Sequence, residues 1–292
     1  MVPSGSGYTA TPHAAKADGM TLSLGGAAIA DLDLIAALGE LAICAGRRIE
    51  AIRAAGAAAC LKPDGSPVTE ADRASEAIVL AGLAELLPDV PVASEEAVAA
   101  GVTPPQSDRL ILVDPLDGTK EFLAGNGEYA VNIGLVADGK PVLGVVHAPV
   151  TGETWLGVVG VGAWYAAPAE AGLAPRTAWK PIRCRPRPAV PTVVLSRTHL
   201  DPATEREVAA LGPIHCLRHG SALKFTLIAE GRADLYPRLA PVCEWDIAAG
   251  HALVAAAGGD VTAADGTPLT YCHAGAGYLV PNFRARGLPA TA

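Results

Sequence analysis

The hydrophobic residues of the chain follow a helical pattern near its beginning. From residue 31 to about residue 59, apolar positions recur at spacings of three and four, which predicts a helix with one buried face. Thr69, with Asp72 three positions later, has the form of a capping box. A second helix is therefore predicted to begin at Thr69 and to run through about Leu87, where a proline ends it.

The pattern changes to strands in the middle of the chain. Short apolar runs predict strands over 90–93 and 110–113, and alternating residues joined by Asp-Gly and Thr-Gly turns predict an antiparallel meander over 130–165. From residue 192 to 262, predicted strands and helices alternate. The sequence therefore predicts a layered α+β fold, with acidic residues gathered where strands end.

The domain organisation follows from shifts in composition. Residues 1–28 are rich in Gly, Ser, Ala and Thr and predict either a disordered leader or a start assigned upstream of the true one at Met20. Residues 29–180 predict an N-terminal α+β subdomain that carries most of the candidate metal ligands. A Pro-, Ala- and Arg-rich stretch over 166–190 crosses between the two parts. Residues 181–288 predict a C-terminal α/β subdomain that carries the substrate pocket and Asp246.

Composition excludes several classes of function. The chain has 292 residues, half of them apolar, and a formal charge of −8, so we expect no nonspecific binding to nucleic acid. No apolar run reaches the roughly 18 residues that a membrane span needs. The six cysteines form no Cys-x-x-Cys pair and are expected to be reduced thiols. These features predict a soluble, cytoplasmic protein.

One short motif carries the strongest chemical signal. In Leu-Val-Asp-Pro-Leu-Asp-Gly-Thr-Lys-Glu-Phe (112–122), Asp114 and Asp117 follow a buried strand, and Pro115 is expected to form a turn that points both carboxylates the same way. At about 5 Å, two such charges repel by about 3 kcal/mol at an effective dielectric constant of about 20. Oxygen ligands without a nearby His or Cys favour Mg²⁺ or Mn²⁺ over zinc. A helix that begins at about Gly118, with the Thr119 hydroxyl, would bind phosphate oxygens.

Other acidic residues could join this site, but each also has an ordinary interpretation. Asp72 could serve only the capping box, and Glu95 and Glu96 could be a solvated pair. Asp246 could only favour the positive end of its helix dipole.

Three motifs together resemble a known superfamily. Asp-Pro-Leu-Asp-Gly-Thr (114–119), Ser-Glu-Glu (94–96) and Trp-Asp-Ile-Ala-Ala-Gly (245–250) resemble the lithium-sensitive, magnesium-dependent phosphatases, which include inositol monophosphatases and fructose-1,6-bisphosphatases. Further segments are most similar to CysQ-type 3'(2'),5'-bisphosphate nucleotidases; they are 117–122, 139–149, 196–199 and 220–225. The resemblance covers roughly residues 31–285 and implies an αβαβα sandwich.

The resemblance also implies roles for individual residues. The implied metal ligands are Glu95, Asp114, the Leu116 carbonyl, Asp117 and Asp246. Asp72 and Thr119 are the implied catalytic pair that orients the attacking water. The implied substrate-binding residues are Gly118, Thr119, Ser196, His199, Ser221, Lys224 and Arg238.

The cofactor and substrate follow from the same resemblance. Two or three Mg²⁺ ions per site are expected, with inhibition by Li⁺. The implied substrate is adenosine 3',5'-bisphosphate, cleaved to AMP and phosphate, with the sulfated nucleotide PAPS as a further candidate. A homodimer and a role in sulfur assimilation are also implied.

Two alternatives remain open at this point. The first is an inositol monophosphatase or a broad sugar-phosphate phosphatase with the same metal core, against which the pair Lys120-Glu121 favours the nucleotidase. The second is an inactive nucleotide- or calcium-binding module. Retention of Asp72 and Thr119 argues against that module, because a protein that only binds needs no pair to orient water.

Overall fold

The computed structural model describes residues 22–24, 27–29, 31–56, 59–62, 65, 67–198 and 200–291. The predicted leader therefore lies outside the described residues, apart from two short paired strands, β1 (Leu22–Leu24) and β2 (Ala27–Ile29). A second antiparallel pair follows further along the chain, β3 (Ala59–Leu61) and β4 (Pro67–Thr69).

Seven α-helices are described. In chain order they are α1 (Asp31–Ala55), α2 (Glu70–Leu86), α3 (Glu95–Ala99), α4 (Thr119–Ala124), α5 (Pro202–Ala209), α6 (Leu223–Ala229) and α7 (Glu244–Ala256). The first helix is shorter than its predicted extent to residue 59. Gly56 adopts a left-handed conformation with φ of +86°, which ends the helix at Ala55. The capping box predicted for α2 is confirmed.

The larger sheet has seven strands in the order β11-β10-β9-β8-β7-β6-β5. They are β5 (Val92–Ser94), β6 (Arg109–Asp117), β7 (Ala130–Ala137), β8 (Lys140–Ala148), β9 (Glu153–Val158), β10 (Gly162–Ala166) and β11 (Lys180–Pro181). Only β5 and β6 pair in parallel, while all other neighbours are antiparallel. Strands β7 to β10 confirm the predicted meander.

The second sheet has five strands in the order β13-β12-β14-β18-β16, and β15 and β17 form a separate pair. The strands are β12 (Thr192–Ser196), β13 (His215–His219), β14 (Leu235–Arg238), β15 (Val242–Cys243), β16 (Asp260–Ala263), β17 (Leu279–Val280) and β18 (Phe283–Arg286). Single 3₁₀ turns lie at Arg176–Ala178 and Ala274–Ala276. The hydrophobic pattern did not predict β13 or β18.

The two sheets are layered with helices. Ile111 and Val113 of β6 pack towards α1 and α2 in one core, while Leu110 and Leu112 pack towards α6 and α7 in another. The second core also contains residues of the five-stranded sheet, so α6 and α7 lie between the sheets. On the far side, α5 packs through Val208. This order of layers confirms the predicted αβαβα sandwich. No helix in the described part of the chain is long and apolar enough to cross a membrane.

A row of glycines sets how closely α7 approaches the larger sheet. Gly134, Gly144 and Gly157 lie opposite one another on β7, β8 and β9. A Cβ atom at Gly144 would lie 2.2 Å from the carbonyl oxygen of Ala249 in α7. The helix backbone therefore rests directly on the sheet. This contact sets the position of Asp246, which lies one turn earlier on the same helix.

Candidate active site

The acidic motif lies at the end of β6 and not in a turn after it. The predicted turn at Pro115 is wrong, because β6 continues to Asp117 with an irregular register between Asp114 and Asp117. Proline has no N–H to donate to a strand ladder and is typically found at such irregularities. The Leu116 N–H group, freed from the ladder, donates to Asp114 Oδ1 at 3.0 Å.

Gly118 and Thr119 connect this strand end to α4. Gly118 adopts φ of +100°, which an L residue rarely takes, and it caps the helix at the predicted position. The Thr119 hydroxyl donates to Asp72 Oδ1 at 3.0 Å. Asp72 Oδ2 accepts from the N–H of Thr69 at 2.7 Å and from its hydroxyl at 2.6 Å. Asp72 therefore closes the capping box with one oxygen and contacts the site with the other.

Glu95 and Glu96 begin α3 and share a cation. Lys62 Nζ lies 2.5 Å from Glu95 Oε1 and 2.6 Å from Glu96 Oε1, and the lysine side chain is nearly buried. Burial alone would lower the pKa of Lys62, but the charge of Glu95 and the hydrogen bonds to both glutamates outweigh it and raise that pKa. Burial raises the pKa of Glu96 to about 7, although Lys62 opposes the shift. Sequence reasoning missed Lys62, because nothing local links residues 33 positions apart.

Asp117 and Asp246 are each held by backbone N–H groups. Asp117 Oδ2 accepts from the Ala222 N–H at 2.5 Å and from Asn132 Nδ2 at 3.1 Å. Asp246 Oδ2 accepts from the Cys243 N–H at 2.9 Å and so closes the capping box of α7. Each of these carboxylates therefore keeps one oxygen free of these bonds. Asp117 also joins the strand end to the segment before α6.

The clustered carboxylates are not easily ionised together; Asp114 is buried, and Asp117 and Asp246 are partly buried. Burial raises the pKa of Asp114 well above its usual range, and the charges of Glu95, Asp117 and Asp246 add to that shift. Burial raises the pKa of Asp117 to about 6, although the charge of Lys224 opposes it. Burial and the charges of Asp117 and Glu95 raise the pKa of Asp246 to about 7. A cation among these side chains would relieve the repulsion.

The donor chemistry fits a magnesium ion. Within the described ranges, no three Asp, Glu, His or Cys side chains are gathered in a geometry that would hold a metal as they stand. The Glu95 carboxylate instead contacts the ammonium group of Lys62. However, the candidate ligands are all oxygens, and neighbouring carboxylates raise the pKa values of Asp114 and Asp246. Clustered carboxylates of this kind are the donors that hard divalent cations prefer.

A single cavity of about 230 Å³ contains most of the predicted site. The predicted residues that line it are Glu95, Asp114, Leu116, Asp117, Gly118, Thr119, Ser196, Ser221, Lys224, Arg238 and Asp246. Asp72 lies behind Thr119, and His199 lies outside the described residues. Sequence reasoning assigned no role to several other lining residues, among them Pro67, Thr198, Phe225 and Tyr236. Glu121, which the sequence singled out only as part of the pair Lys120-Glu121, accepts a hydrogen bond from the Thr198 hydroxyl at 2.6 Å.

Two basic side chains reach the same cavity from the second half of the chain. Lys224 is buried; its Nζ donates to the Ser221 carbonyl at 2.5 Å and lies 5.1 Å from the centre of the Tyr236 ring. Burial lowers the pKa of Lys224 to about 8, although Asp117 opposes the shift. The buried Nε of Arg238 has no hydrogen-bond partner among the described residues. The cavity therefore combines carboxylates with cations that could bind an anion.

Comparison with known proteins identifies the family of the chain. Residues 28–288 match the inositol monophosphatase family. The chain belongs to the inositol monophosphatase family. Within it, the chain is 46% identical over 224 residues to the 3'(2'),5'-bisphosphate nucleotidase CysQ of Escherichia coli K12, which covers 76% of this chain and 86% of that protein. The resemblance inferred from the motifs is confirmed.

Solved structures of inositol monophosphatase family members agree with the fold. CysQ from Bacteroides thetaiotaomicron matches with a TM-score of 0.72 and 36% identity, over 87% of this chain and 97% of that one. An inositol monophosphatase from Zymomonas mobilis matches with a TM-score of 0.70 and 26% identity, over 89% and 94% of the two chains. The family consists of metal-dependent phosphatases.

Proposed function

We propose that this protein is a magnesium-dependent 3'(2'),5'-bisphosphate nucleotidase. Its substrate is adenosine 3',5'-bisphosphate, which it hydrolyses to AMP and phosphate, and PAPS is a second substrate. The observation that carries the proposal is one cavity that brings the carboxylates of Glu95, Asp114, Asp117 and Asp246 together with two cations, the buried Lys224 and the partly buried Arg238. A substrate with two phosphates uses both features. The similarity to CysQ proteins supports the same conclusion.

Magnesium would be held by the acidic residues of the cavity. The ligands in this proposal are Glu95, Asp114, the Leu116 carbonyl, Asp117 and Asp246. Bound there, the ions would lower the pKa of a coordinated water and neutralise the charge that develops on the leaving 3'-oxygen. We expect two or three ions per site and inhibition by Li⁺, as the family resemblance implies.

Thr119 and Asp72 would orient the attacking water. The Thr119 hydroxyl donates its hydrogen bond to Asp72, so its lone pairs remain free to accept a hydrogen bond from water. Three donors to the Asp72 carboxylate hold it in one orientation. In-line attack forms the new bond from the water oxygen to phosphorus, the bond to the 3'-oxygen breaks, and a proton passes to the leaving oxygen.

Lys224 and Arg238 would bind the 5'-phosphate. Both are buried or partly buried, and charge-assisted hydrogen bonds to a phosphate would satisfy the unpartnered Nε of Arg238. At neutral pH Lys224 is protonated for the most part, because its pKa of about 8 lies above the pH. A substrate without the 5'-phosphate would make no charge-assisted hydrogen bonds to these two cations.

The test is a phosphate-release assay over matched substrates. Adenosine 3',5'-bisphosphate should be hydrolysed only with Mg²⁺, and 3'-AMP, which lacks the 5'-phosphate, should have a kcat/KM lower by about tenfold or more. Lys224→Gln should lower kcat/KM for the bisphosphate by a larger factor than for 3'-AMP, because only the bisphosphate loses a contact to its 5'-phosphate. A preference for inositol 1-phosphate or fructose 1,6-bisphosphate would instead indicate an inositol monophosphatase or a broad sugar-phosphate phosphatase. No release from any substrate would indicate the inactive module.

A further inference from the structure

Helix α2 presents three polar side chains towards the candidate site. Asp72, Ser75 and Glu76 lie at positions i, i+3 and i+4, so they share one face of the helix. Asp72 contacts Thr119, as described above. The other two side chains contact neither Thr119 nor the cavity surface, and the mechanism assigns them no role.

Ser75 holds the peptide bond between the two aspartates of the motif. Its side chain is fully buried, and its hydroxyl donates to the Pro115 carbonyl at 2.6 Å. The N–H of the same peptide, on Leu116, donates to Asp114 Oδ1 at 3.0 Å. The two bonds therefore hold one peptide plane from both sides, and each polarises the other. Rotation of this peptide would turn both the Asp114 carboxylate and the adjoining Leu116 carbonyl.

Glu76 holds the segment that carries Glu95. Its Oε1 accepts from the Ser94 hydroxyl at 2.5 Å and from the Ala97 N–H at 3.1 Å. Ser94 occupies the N-cap position of α3 but makes no capping bond with its own side chain. Glu76 supplies that acceptor from a different helix. Because α3 has only five residues and buries none of them, it depends on such contacts for its position.

We propose that Ser75 and Glu76 are positioning residues for the metal site. Ser75 orients Asp114 and the Leu116 carbonyl, and Glu76 orients Glu95, although neither residue touches the cavity. The inference rests on the proposed function, because it takes those groups as metal ligands. One rigid helix thus sets the relative position of two acidic segments that are more than 15 residues apart in sequence.

The test measures Mg²⁺ binding to the metal-free protein by titration calorimetry, without substrate. Partners that orient metal ligands typically contribute 10- to 100-fold to affinity, so Ser75→Ala and Glu76→Leu should each weaken Mg²⁺ binding by about tenfold or more. Ser75→Thr and Glu76→Gln keep a hydroxyl and an acceptor oxygen and should largely restore it. At saturating Mg²⁺, KM for the bisphosphate should stay within about twofold.

The matched control deletes a buried hydroxyl elsewhere. Thr154 is buried on β9 and contacts His147 Nδ1 at 2.9 Å, so Thr154→Val should lower the unfolding temperature and leave Mg²⁺ affinity unchanged. The proposal is overturned if the Ser75 and Glu76 variants lose thermal stability but bind Mg²⁺ like the parent. If Ser75→Ala does not fold, the comparison of Glu76→Leu with Glu76→Gln still tests the proposal. Failure of the parent to bind Mg²⁺ or to release phosphate would instead contradict the proposed function.

Discussion

Substitution of Gly144 by alanine should separate α7 from the larger sheet. The added Cβ would lie 2.2 Å from the Ala249 carbonyl oxygen and 2.9 Å from the Ala249 Cα and carbonyl carbon. An unstrained contact needs about 3.4 Å or more, so the helix has to move by about 1 Å. Neither neighbour is a flexible side chain, because the atoms in conflict are helix backbone.

The displacement should cost both stability and activity. Overpacking a well-packed interior typically costs about 1 to 3 kcal/mol, and we expect Gly144→Ala to lie within that range. Asp246 precedes Ala249 by one turn of α7 and would move with it, away from Asp117 on β6. A misplacement of about 1 Å in a catalytic site can lower the rate by about 100-fold. We therefore expect a loss of kcat/KM of that order.

The assay combines thermal unfolding with Mg²⁺-dependent phosphate release. Gly275→Ala is the matched control, because a Cβ there meets no atom within 4 Å and its φ is not left-handed. That variant should keep both the unfolding temperature and the activity of the parent. If Gly144→Ala were as stable and as active as Gly275→Ala, the close approach of α7 would not position Asp246, and our reasoning would be refuted.

Three further predictions concern the charges of the site. Asp117→Asn keeps an acceptor for the Ala222 N–H but removes a charge that burial destabilises. The metal-free variant should therefore unfold at a higher temperature than the parent, while its kcat falls steeply. Unchanged turnover would contradict the assignment of Asp117 as a metal ligand. Lys62→Met removes the cation beside Glu95, so the metal-free variant should be less stable than the parent. Because Lys62 no longer competes for Glu95, Mg²⁺ should bind at least as tightly when measured by calorimetry. Weaker binding would show that the lysine assists the metal. Between about pH 4 and pH 7, Asp117 and Asp246 hold more protons in the metal-free folded protein than in the unfolded chain, because the pKa of Asp117 is raised to about 6 and that of Asp246 to about 7. Buried His147 and His251, whose pKa values are lowered to about 4, act in the opposite direction, with and without metal alike. The rise in unfolding temperature on addition of Mg²⁺ should therefore grow as the pH increases through this window; a rise that does not depend on pH would contradict the raised pKa values of the two aspartates.

The sequence by itself determined the features that depend on neighbours along the chain. The capping box of Thr69 and Asp72 was predictable, because its bonds join residues three positions apart. The meander of β7 to β10 was predictable from alternation and turn residues. The acidic motif predicted a metal site, because Asp114 and Asp117 repel unless a cation lies between them, and the structure places both residues in one cavity. The end of α1 also had a local signal, the glycine at position 56, but the helical spacing of apolar residues predicted a helix that continued past it.

Only the tertiary structure decided which distant groups meet. The ion pair of Lys62 with Glu95 spans 33 positions, and the bond from Ser75 to the Pro115 carbonyl spans 40. The row of glycines under α7 is visible only when β7, β8 and β9 lie in register. Local patterns reflect the backbone preferences of a few residues, whereas these contacts depend on how whole layers pack. The candidate metal site was therefore predictable from the chain, while the contacts of Lys62, Ser75 and the three glycines became visible only in the fold.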